Sequence, residues 1–282
     1  MCEDFSDIVL KEKKDGTRIT VRDVQLATLE MMKDIDEICK KNHIEYWLAD
    51  GSALGAIRHN GFIPWDDDFD IGMMRSEYER FIKVLEKDLD KEKYTFHCFE
   101  KSKKYEVTWP SMKIRKKNTY IKEVNKLLPN RCTDCNGIFV DVFIYDYMAK
   151  TTFCDLPLRL CNSALMPIII LLENIRINPI PLKYLYRFNA KLYGKINKHS
   201  KYIGDDLTWT YRSPLKPLRC MKDKILPTVR VPFEDTEFPV PNDFKNYLIQ
   251  NYGENYMTPP PINKRIPIHV YDINLTSSEP EE

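Results

Sequence analysis

Three aspartates at alternate positions form the most chemically informative feature of this sequence. Asp66, Asp68 and Asp70 lie in the segment Trp65-Asp-Asp-Asp-Phe-Asp, shortly after Asp50-Gly-Ser. Alternate side chains of an extended segment point to the same face, so the three carboxylates are expected to project together. Like charges on one face repel each other, and a divalent cation among the oxygen atoms removes that repulsion. The spacing therefore predicts a Mg²⁺ or Mn²⁺ site, with Asp66, Asp68 and Asp70 as ligands.

A fourth carboxylate stands alone in an apolar run further along the chain. The sequence from Gly137 to Ile144 predicts a strand in which Asp141 is the one charged residue. Asp141 is therefore expected to bind the same metal ion or to accept a proton from a substrate hydroxyl. A structural hydrogen bond is the alternative explanation for a single buried acid.

Two further pairs of residues are suited to bind phosphate. Gly51 and Ser52 lie where a predicted strand turns into a predicted helix, and the backbone N–H groups of a helix N-terminus bind anions. Lys113 and Arg115 are two residues apart on one face of a predicted strand, where they are candidates for neutralising a leaving group. A solvated strand face is the competing interpretation of this second pair.

The acidic run itself has two other interpretations. Acidic runs are often solvated loops. An EF-hand loop would have Asp66, Asp68, Asp70 and Glu77 at positions 1, 3, 5 and 12, but Ile71 stands at position 6, where that loop requires glycine. The metal–phosphate interpretation is therefore preferred to calcium binding.

A longer string around these residues resembles the LicD family of phosphocholine transferases, which has fukutin-type proteins as distant animal relatives. It runs from Asp50-Gly-Ser-Ala-Leu-Gly-Ala-Ile-Arg-His59 through Gly61-Phe-Ile-Pro-Trp-Asp-Asp-Asp-Phe-Asp-Ile-Gly72. Similar motifs include Lys113-Ile-Arg115 and the strand that carries Asp141. The resemblance covers residues 20–146 closely and 231–261 more loosely. Arg58 and His59 belong to the core motif and are expected to bind substrate.

This resemblance implies an α+β fold, a nucleotidyltransferase-like mixed sheet flanked by helices. It also implies a phosphotransferase that uses a CDP-linked donor. Such an enzyme moves a phosphorylated alcohol, phosphocholine or a polyol phosphate, to a hydroxyl of a cell-surface glycan or its lipid-linked precursor, as in lipopolysaccharide, teichoic acid or capsule. One alternative is a nucleotidyltransferase that moves NMP from an NTP. Another is a non-catalytic glycan- or nucleotide-binding protein on the same scaffold.

Phosphoryl transfer depends mainly on positioning and charge neutralisation, and this assigns roles to the candidate residues. Asp68 and Asp70 would hold Mg²⁺ against the diphosphate, with Asp66 or Asp141 completing the shell. Asp141 would alternatively accept the proton of the attacking hydroxyl. Ser52 and its N–H group would bind a phosphate.

Hydrophobic periodicity predicts the elements that position these residues. Apolar residues at three- and four-residue steps predict amphipathic helices over residues 20–41 and 76–89. A strand is predicted at 44–48, followed by a brief helix at 53–58 with Ser52 as its N-cap. Residues 63–72 are predicted to be extended, with further strands at 94–99, 111–115, 119–122 and 137–144. Frequent prolines predict a loop-like segment over 211–241, and a last helix is expected at 242–252.

Composition limits the class of protein and its location. The chain has 282 residues, 43% of them hydrophobic and 30% charged, with a net charge of +1. These values are typical of a folded, water-soluble protein without a global charge for nucleic acid. The N-terminus lacks the apolar core of a secretory signal, and eight cysteines are too sparse for a disulfide scaffold. We therefore expect a cytoplasmic protein with reduced thiols. Cys132-x-x-Cys135 lacks a second matching pair, which disfavours structural zinc.

A basic segment interrupts this balanced composition. Residues 156–204 contain eight Lys/Arg and one acid, Glu173. Lys183, Arg187, Lys191 and Lys195 recur at four-residue steps, which predicts one positive stripe on a helix. We expect either a solvated face or peripheral contact of residues 183–201 with the inner face of a membrane. The predicted organisation is a catalytic core at 1–155, a basic helical segment at 156–210, a C-terminal part at 211–275 that packs on the core, and a disordered tail at 276–282.

Overall fold

A mixed sheet with helices packed around it forms the centre of this α+β protein, as predicted. The computed structural model describes residues 8–99, 111–123, 135–175, 177–204 and 217–280. The helices of these residues are α1 (Val21–Asn42), α2 (Asp50–His59), α3 (Arg75–Asp88), α4 (Thr152–Asn174), α5 (Ile180–Ile196), α6 (Lys222–Ile225) and α7 (Phe244–Tyr252). The strands are β1 (Val9–Glu12), β2 (Arg18–Thr20), β3 (Trp47–Leu48), β4 (Asp70–Met74), β5 (Tyr94–Cys98), β6 (Met112–Lys116), β7 (Tyr120–Glu123), β8 (Phe139–Met148), β9 (Tyr202–Gly204), β10 (Cys220–Met221), β11 (Val229–Phe233), β12 (Thr236–Val240) and β13 (Val270–Asn274).

Strand β8 organises the sheet because it is long enough to pair with three strands. Along one edge it pairs with β4 in parallel, and β4 continues antiparallel to β3. Along the other edge its first half pairs antiparallel with β6, which pairs with β5, and its last residues pair antiparallel with β9. The first half of β8 is therefore buried between two neighbours, in keeping with its almost wholly apolar sequence.

Helix α1 forms where the periodicity predicts it. Thr20 is the N-cap and shares a reciprocal capping box with Asp23, and His43 ends the helix in the left-handed region at φ 51°. The apolar stripe of α1 packs into the main core, where Ile35 and Met32 are fully buried. The long helix therefore provides a fixed wall against which the sheet is packed.

The segment before β4 differs from the prediction. Residues 63–69 are irregular, with a turn at Pro64–Trp65, and only Asp70 of the aspartate cluster lies in a strand. Helix α2 also starts earlier than predicted, with Ala49 as the N-cap residue, so Ser52 lies inside its first turn instead of capping it. The hydroxyl of Ser52 is used elsewhere, as a hydrogen-bond acceptor for the N–H of Asp70 at 2.8 Å.

The predicted loop at 211–241 is wrong for its described part, residues 217–241. These residues form β10, α6 and the β11–β12 hairpin, in which Phe233 and Phe238 are fully buried against Phe69. Prolines such as Pro232 are tolerated because both strands of a two-stranded sheet are edge strands. The alternating apolar residues therefore form strands in spite of the prolines, which had predicted a loop. Residues 211–216 lie outside the described residues, and the predicted domain division stays a prediction.

The predicted positive stripe is not one surface. Lys183 is 3% exposed and pairs with Glu173, while the Arg187 guanidinium lies over the rings of Tyr78 and Phe99. Lys191 and Lys195 are exposed. Four residues of an α-helix turn it through about 400°, so each four-residue step advances the stripe by about 40° around the axis. Over three steps the stripe therefore passes from the buried face of α5 to its exposed face.

Candidate active site

The first turn of α2 is fastened to the start of β4. The N–H of Ala49 donates to the carbonyl of Asp70 at 2.9 Å, and the Ser52 hydroxyl accepts from the N–H of Asp70 at 2.8 Å. Asp50 adopts a positive φ of 38°, and its N–H donates to the buried hydroxyl of Tyr247. These bonds place Asp50 and Gly51 beside the aspartate cluster.

Gly51 is required where Asp66 approaches α2. A Cβ atom on Gly51 would lie 2.7 Å from Oδ2 of Asp66, closer than real Cβ contacts come. Any other residue at position 51 would displace the Asp66 carboxylate. The predicted phosphate-binding glycine thus also makes room for a predicted metal ligand.

The structure brings the four predicted metal ligands to one end of the β4–β8 pair. Asp70 and Asp141 are Cα partners on adjacent parallel strands, so their side chains project from the same face. Asp66 and Asp68 lie in the irregular loop before β4, and their charges act on Asp70. Among the described residues, a ligand atom of each lies within 4.8 Å of the other and of a nitrogen of His269, whereas Asp70 and Asp141 are outside this group. Oδ1 of Asp141 is buried and has no hydrogen-bond partner among the described residues.

The electrostatics of this end are those of crowded carboxylates. Burial, followed by the charges of Asp68, Asp50 and Asp141, raises the pKa of Asp70 well above its usual value. Burial and the neighbouring Asp68 raise the pKa of Asp66 in the same way. Opposing its own burial, a hydrogen bond from His269 lowers the pKa of Asp68, which therefore keeps its charge.

The C-terminal segment supplies His269, which the sequence analysis missed. Asp67 accepts hydrogen bonds from the N–H groups of Ile268, His269 and Val270, the last at 2.8 Å. This places Nε2 of His269 3.0 Å from Oδ2 of Asp68. Burial opposes the imidazolium, but the hydrogen bond and charge of Asp68 raise the pKa of His269 to about 9. No local pattern marks His269, because the contact joins residues about 200 positions apart.

Lys113 lies next to Asp141, but Arg115 does not reach a substrate surface. Nζ of Lys113 donates to Asp141 Oδ2 at 2.9 Å and to Glu123 Oε1 at 2.8 Å. Arg115 pairs with Glu123 at 2.7 Å and with the carbonyl of Gly137, and its side chain is only 1% exposed. The prediction that Arg115 binds phosphate is therefore corrected, because no part of its guanidinium is accessible. Its observed contact orients Glu123, which in turn holds Lys113.

Arg58 and His59 lie in the last turn of α2, where the charge of Asp66 acts on Arg58. Arg58 donates to Nε2 of His59 at 2.9 Å and to the carbonyl of Tyr256 at 3.0 Å. Burial and the charge of Arg58 lower the pKa of His59 to about 4, so His59 is neutral at pH 7. Arg58 is thus the cationic member of this pair.

Two further residues belong to the site without having been predicted there. The charge of Asp50 raises the pKa of Asp70. Burial, then Asp50 and Asp70, raises the pKa of Tyr252, whose side chain is close to both. The position of Asp50 directly before Gly51 was a sequence signal that could have identified Asp50 as a site residue.

The EF-hand alternative fails, because Glu77 does not join the aspartate cluster. Its carboxylate accepts hydrogen bonds from the N–H of Glu45 and from Arg80.

The donor set fits a hard divalent cation. The site is rich in carboxylate oxygens, which such a cation prefers as ligands. Oδ1 of Asp141 has no hydrogen-bond partner among the described residues, and Gly51 leaves space for the Asp66 carboxylate. Helix α2 adds backbone N–H groups at an N-terminus whose N-cap residue, Ala49, forms no side-chain cap, which is suited to a phosphate. The arrangement can hold a metal–phosphate group beside a carboxylate that accepts a proton. The Cys132-x-x-Cys135 motif, at which structural zinc is disfavoured by the sequence, is not tested, since Cys132 lies outside the described residues.

Residues 43–156 match the family model described as "LicD/FKTN/FKRP, nucleotidyltransferase domain". The lipopolysaccharide cholinephosphotransferase LicD of Haemophilus influenzae is 27% identical over 284 residues, which cover 90% of this chain and 98% of that protein. An uncharacterised protein of Rickettsia prowazekii is 50% identical over 60 residues, which cover 21% of this chain and 23% of that protein. The human ribitol 5-phosphate transferase FKRP is 57% identical over 30 residues, covering 11% of this chain and 6% of that protein.

Proposed function

Because this chain belongs to the LicD family through its domain at residues 43–156, we propose that it is a phosphotransferase of glycan biosynthesis. It moves a phosphorylated alcohol, phosphocholine or a polyol phosphate, from a CDP-linked donor to a hydroxyl of a cell-surface glycan or its lipid-linked precursor. The names of two relatives, a cholinephosphotransferase and a ribitol 5-phosphate transferase, support this class of reaction and leave the alcohol open.

One observation carries the proposal. Asp70 and Asp141 are in register at the same end of adjacent strands, and the charges of Asp66 and Asp68 in the preceding loop act on Asp70. Buried like charges destabilise a protein unless a cation or a charged substrate compensates them. A diphosphate bound with Mg²⁺ or Mn²⁺ supplies that compensation, and it is the reactive part of a CDP-linked donor.

The residues divide into binding and proton-transfer roles. Asp66, Asp68 and Asp70 would hold the cation, which would polarise the phosphorus and stabilise the departing CMP. The first turn of α2, with Gly51 and Ser52, orients the diphosphate through its N–H groups. These residues fix the donor before the acceptor hydroxyl arrives.

Asp141 is placed to accept the proton of the attacking hydroxyl. Its Oδ2 is held by Lys113, while its Oδ1 has no partner in the described part of the chain. Burial and Glu123 raise the pKa of Asp141 and Lys113 opposes them, so the carboxylate is a stronger base than a solvated one. Lys113 also lies beside the cluster, where its charge offsets the negative charge of the donor.

The decisive assay compares released products. Purified protein is incubated with Mg²⁺, an acceptor glycan and CDP-choline, CDP-ribitol or CDP-glycerol, and CMP release is measured beside pyrophosphate release from NTPs. CMP release that depends on the acceptor supports the proposal. Pyrophosphate release identifies a nucleotidyltransferase, and binding of donor without any turnover in the presence of acceptor identifies a non-catalytic protein.

Two variants separate a metal ligand from a base. Asp70→Asn is expected to lose both Mg²⁺ affinity and turnover, whereas Asp141→Asn is expected to lose turnover and to keep Mg²⁺-dependent donor binding in calorimetry. Asp235→Asn, which removes an exposed carboxylate, is the matched control. Loss of Mg²⁺ affinity in Asp141→Asn would instead make Asp141 a ligand.

A further inference from the structure

Helix α4 exposes a stripe without a single charged residue. The exposed side chains recur at three- and four-residue steps along one face of the helix. They are Phe153, Cys154, Pro157, Leu160, Cys161, Ala164, Pro167, Ile168 and Leu171. Phe153 is 83% exposed and Leu171 63%. A water-facing helix of a soluble protein normally carries charges on this face, so the stripe indicates contact with something apolar.

Helix α5 exposes a second apolar stripe, with lysines within it. Ile180, Tyr184, Phe188, Leu192 and Ile196 recur every four residues and are all exposed. Of the 20 exposed large hydrophobic side chains among the described residues, 12 lie between positions 153 and 196. The exposed apolar surface is therefore concentrated on one helical hairpin, which we call the α4–α5 hairpin, residues 152–196.

The charges of this hairpin are sorted by sign. Its two acidic residues, Asp155 and Glu173, are fully buried, with Asp155 paired to Arg219 and Glu173 to Lys183. The exposed charges from position 152 to 204 in the described residues are lysines: Lys191, Lys195, Lys198 and Lys201. Lys191 pairs with the exposed Glu79 of α3 at 2.7 Å, but the hairpin itself exposes no carboxylate among its described residues, and an apolar surface with lysines is complementary to a membrane with anionic headgroups.

The hairpin cannot cross such a membrane while it keeps this fold. Helix α4 is long and apolar enough to span a bilayer, with a mean hydropathy of 1.5 over its most apolar window, but its opposite face is attached to the protein. Asp155 bonds to the N–H of Ala149 and to Arg219, and Asn162 bonds to α5 through Asn189. Spanning would expose these groups to lipid. A helix held in this way can contact a bilayer only along its surface.

We propose that the α4–α5 hairpin docks this protein onto an anionic lipid surface, with the exposed apolar stripes in the headgroup–acyl boundary and the lysines among the headgroups. A second copy of the chain is a poorer occupant, because a self-paired hairpin would bring lysines together and the hairpin itself exposes no carboxylate among its described residues. The docking surface differs from the predicted basic stripe, since Lys183 and Arg187 face the protein interior.

The hairpin packs on the sheet away from the active site. Gly194 of α5 packs on Asp146, which lies five residues along β8 from Asp141. That separation is roughly 17 Å in an extended strand. The active-site carboxylates are therefore separate from the hairpin, and vesicle binding can be measured independently of the proposed transfer reaction.

Vesicle flotation of the full-length protein tests the proposal. Vesicles of phosphatidylcholine alone are compared with vesicles that also contain phosphatidylglycerol, at low and high salt. The protein is expected to float with the anionic vesicles, and high salt is expected to weaken this binding only in part because the apolar stripes insert. The triple variant Leu160→Gln/Leu171→Gln/Phe188→Gln is expected to weaken binding at least about tenfold.

Leu26→Gln on α1 is the matched control, because Leu26 is 48% exposed and Leu160 is 52% exposed on helices of similar length. Circular dichroism confirms that each variant is folded. Absence of binding to anionic vesicles at low salt overturns the proposal. Equal loss in the triple variant and in Leu26→Gln does so as well. A dimer in sedimentation that the triple variant dissociates, without vesicle binding, assigns the stripes to a second copy and also overturns it.

Discussion

The two ends of the β4–β8 strand pair carry opposite electrostatic arrangements. At one end Asp70 lies beside Asp141, and the charges of Asp66 and Asp68 act on Asp70. At the other end, one residue beyond the paired segment, Arg75 forms a bidentate ion pair with Asp146, whose Nε–Oδ1 distance is 2.7 Å. The same two strands thus hold unbalanced charge at one end and balanced charge at the other. A buried charge that has a partner of opposite sign maintains the fold. Buried charges of one sign are retained where a bound ligand of opposite sign neutralises them.

The largest expected effect is at the unbalanced end. Asp70→Asn should lower turnover about 10³-fold or more, equivalent to about 4 kcal/mol of transition-state stabilisation, because a cation ligand is lost. Its melting temperature in EDTA should equal or exceed that of the wild type, because repulsion with Asp68 and Asp141 is relieved. Steady-state kinetics and calorimetry measure the two quantities. Turnover of Asp70→Asn at the wild-type rate would show that Asp70 is not part of the active site.

The balanced end should behave in the opposite way. Arg75→Met leaves Asp146 buried without its partner and should lower the free energy of unfolding by about 3–5 kcal/mol, with turnover of the folded fraction within about twofold of the wild type. Urea denaturation measures the loss. The double variant Arg75→Met/Asp146→Leu should lose less than the single variant, since no buried charge remains. An equally large loss would assign the effect to packing instead of charge.

Added Mg²⁺ should stabilise the protein only through the aspartate end of the β4–β8 strand pair. Mg²⁺ at about 100 times its dissociation constant should stabilise the wild type by about 2.7 kcal/mol, which raises the melting temperature by about 5 °C. The same addition should leave Asp70→Asn unchanged and should shift Arg75→Met by as much as the wild type. Differential scanning fluorimetry with a Mg²⁺ series measures these shifts. An equal shift in Asp70→Asn would place the bound metal elsewhere.

The smallest effect concerns Asp36, a buried carboxylate that, like Asp146, forms an ion pair with an arginine. Burial raises the pKa of Asp36, but hydrogen bonds from Arg230, Lys40 and Tyr46 outweigh it and hold the pKa below its usual value. Because the folded pKa is the lower one, the ionised group stabilises the fold above its unfolded pKa, and this contribution disappears as pH falls through the folded pKa. Asp36→Asn should therefore cost about 1–2 kcal/mol at pH 7 and progressively less in acid.

Urea titrations between about pH 7 and about pH 3 measure that pH dependence. Glu37→Gln, an exposed neighbour on the same helix, is the control and should show no such trend. A cost for Asp36→Asn that stays constant with pH would show that the hydrogen-bond geometry matters and the charge does not.

The sequence by itself determined the local elements and the chemistry of the site. The apolar period predicts α1 and α3, and the strands predicted at 94–99, 111–115, 119–122 and 137–144 coincide closely with β5 to β8, because these signals depend on neighbours a few residues away. The run from Asp50 to Asp70 identifies Asp66, Asp68 and Asp70 as a cluster for the same reason. The family resemblance of this run then indicated phosphoryl transfer, which the match of residues 43–156 supports.

Only the tertiary structure decided which partner each charged residue has. His269 reaches Asp68 because Asp67 binds the backbone of the C-terminal segment, and Arg115 is removed from the substrate because Glu123 lies opposite it. The same holds for the α4–α5 hairpin, where packing buries Lys183 and leaves Phe188 exposed. Helical spacing fixes which residues share a face, but it does not fix which face meets the protein. That choice depends on contacts between distant segments, which form only when the whole chain has folded.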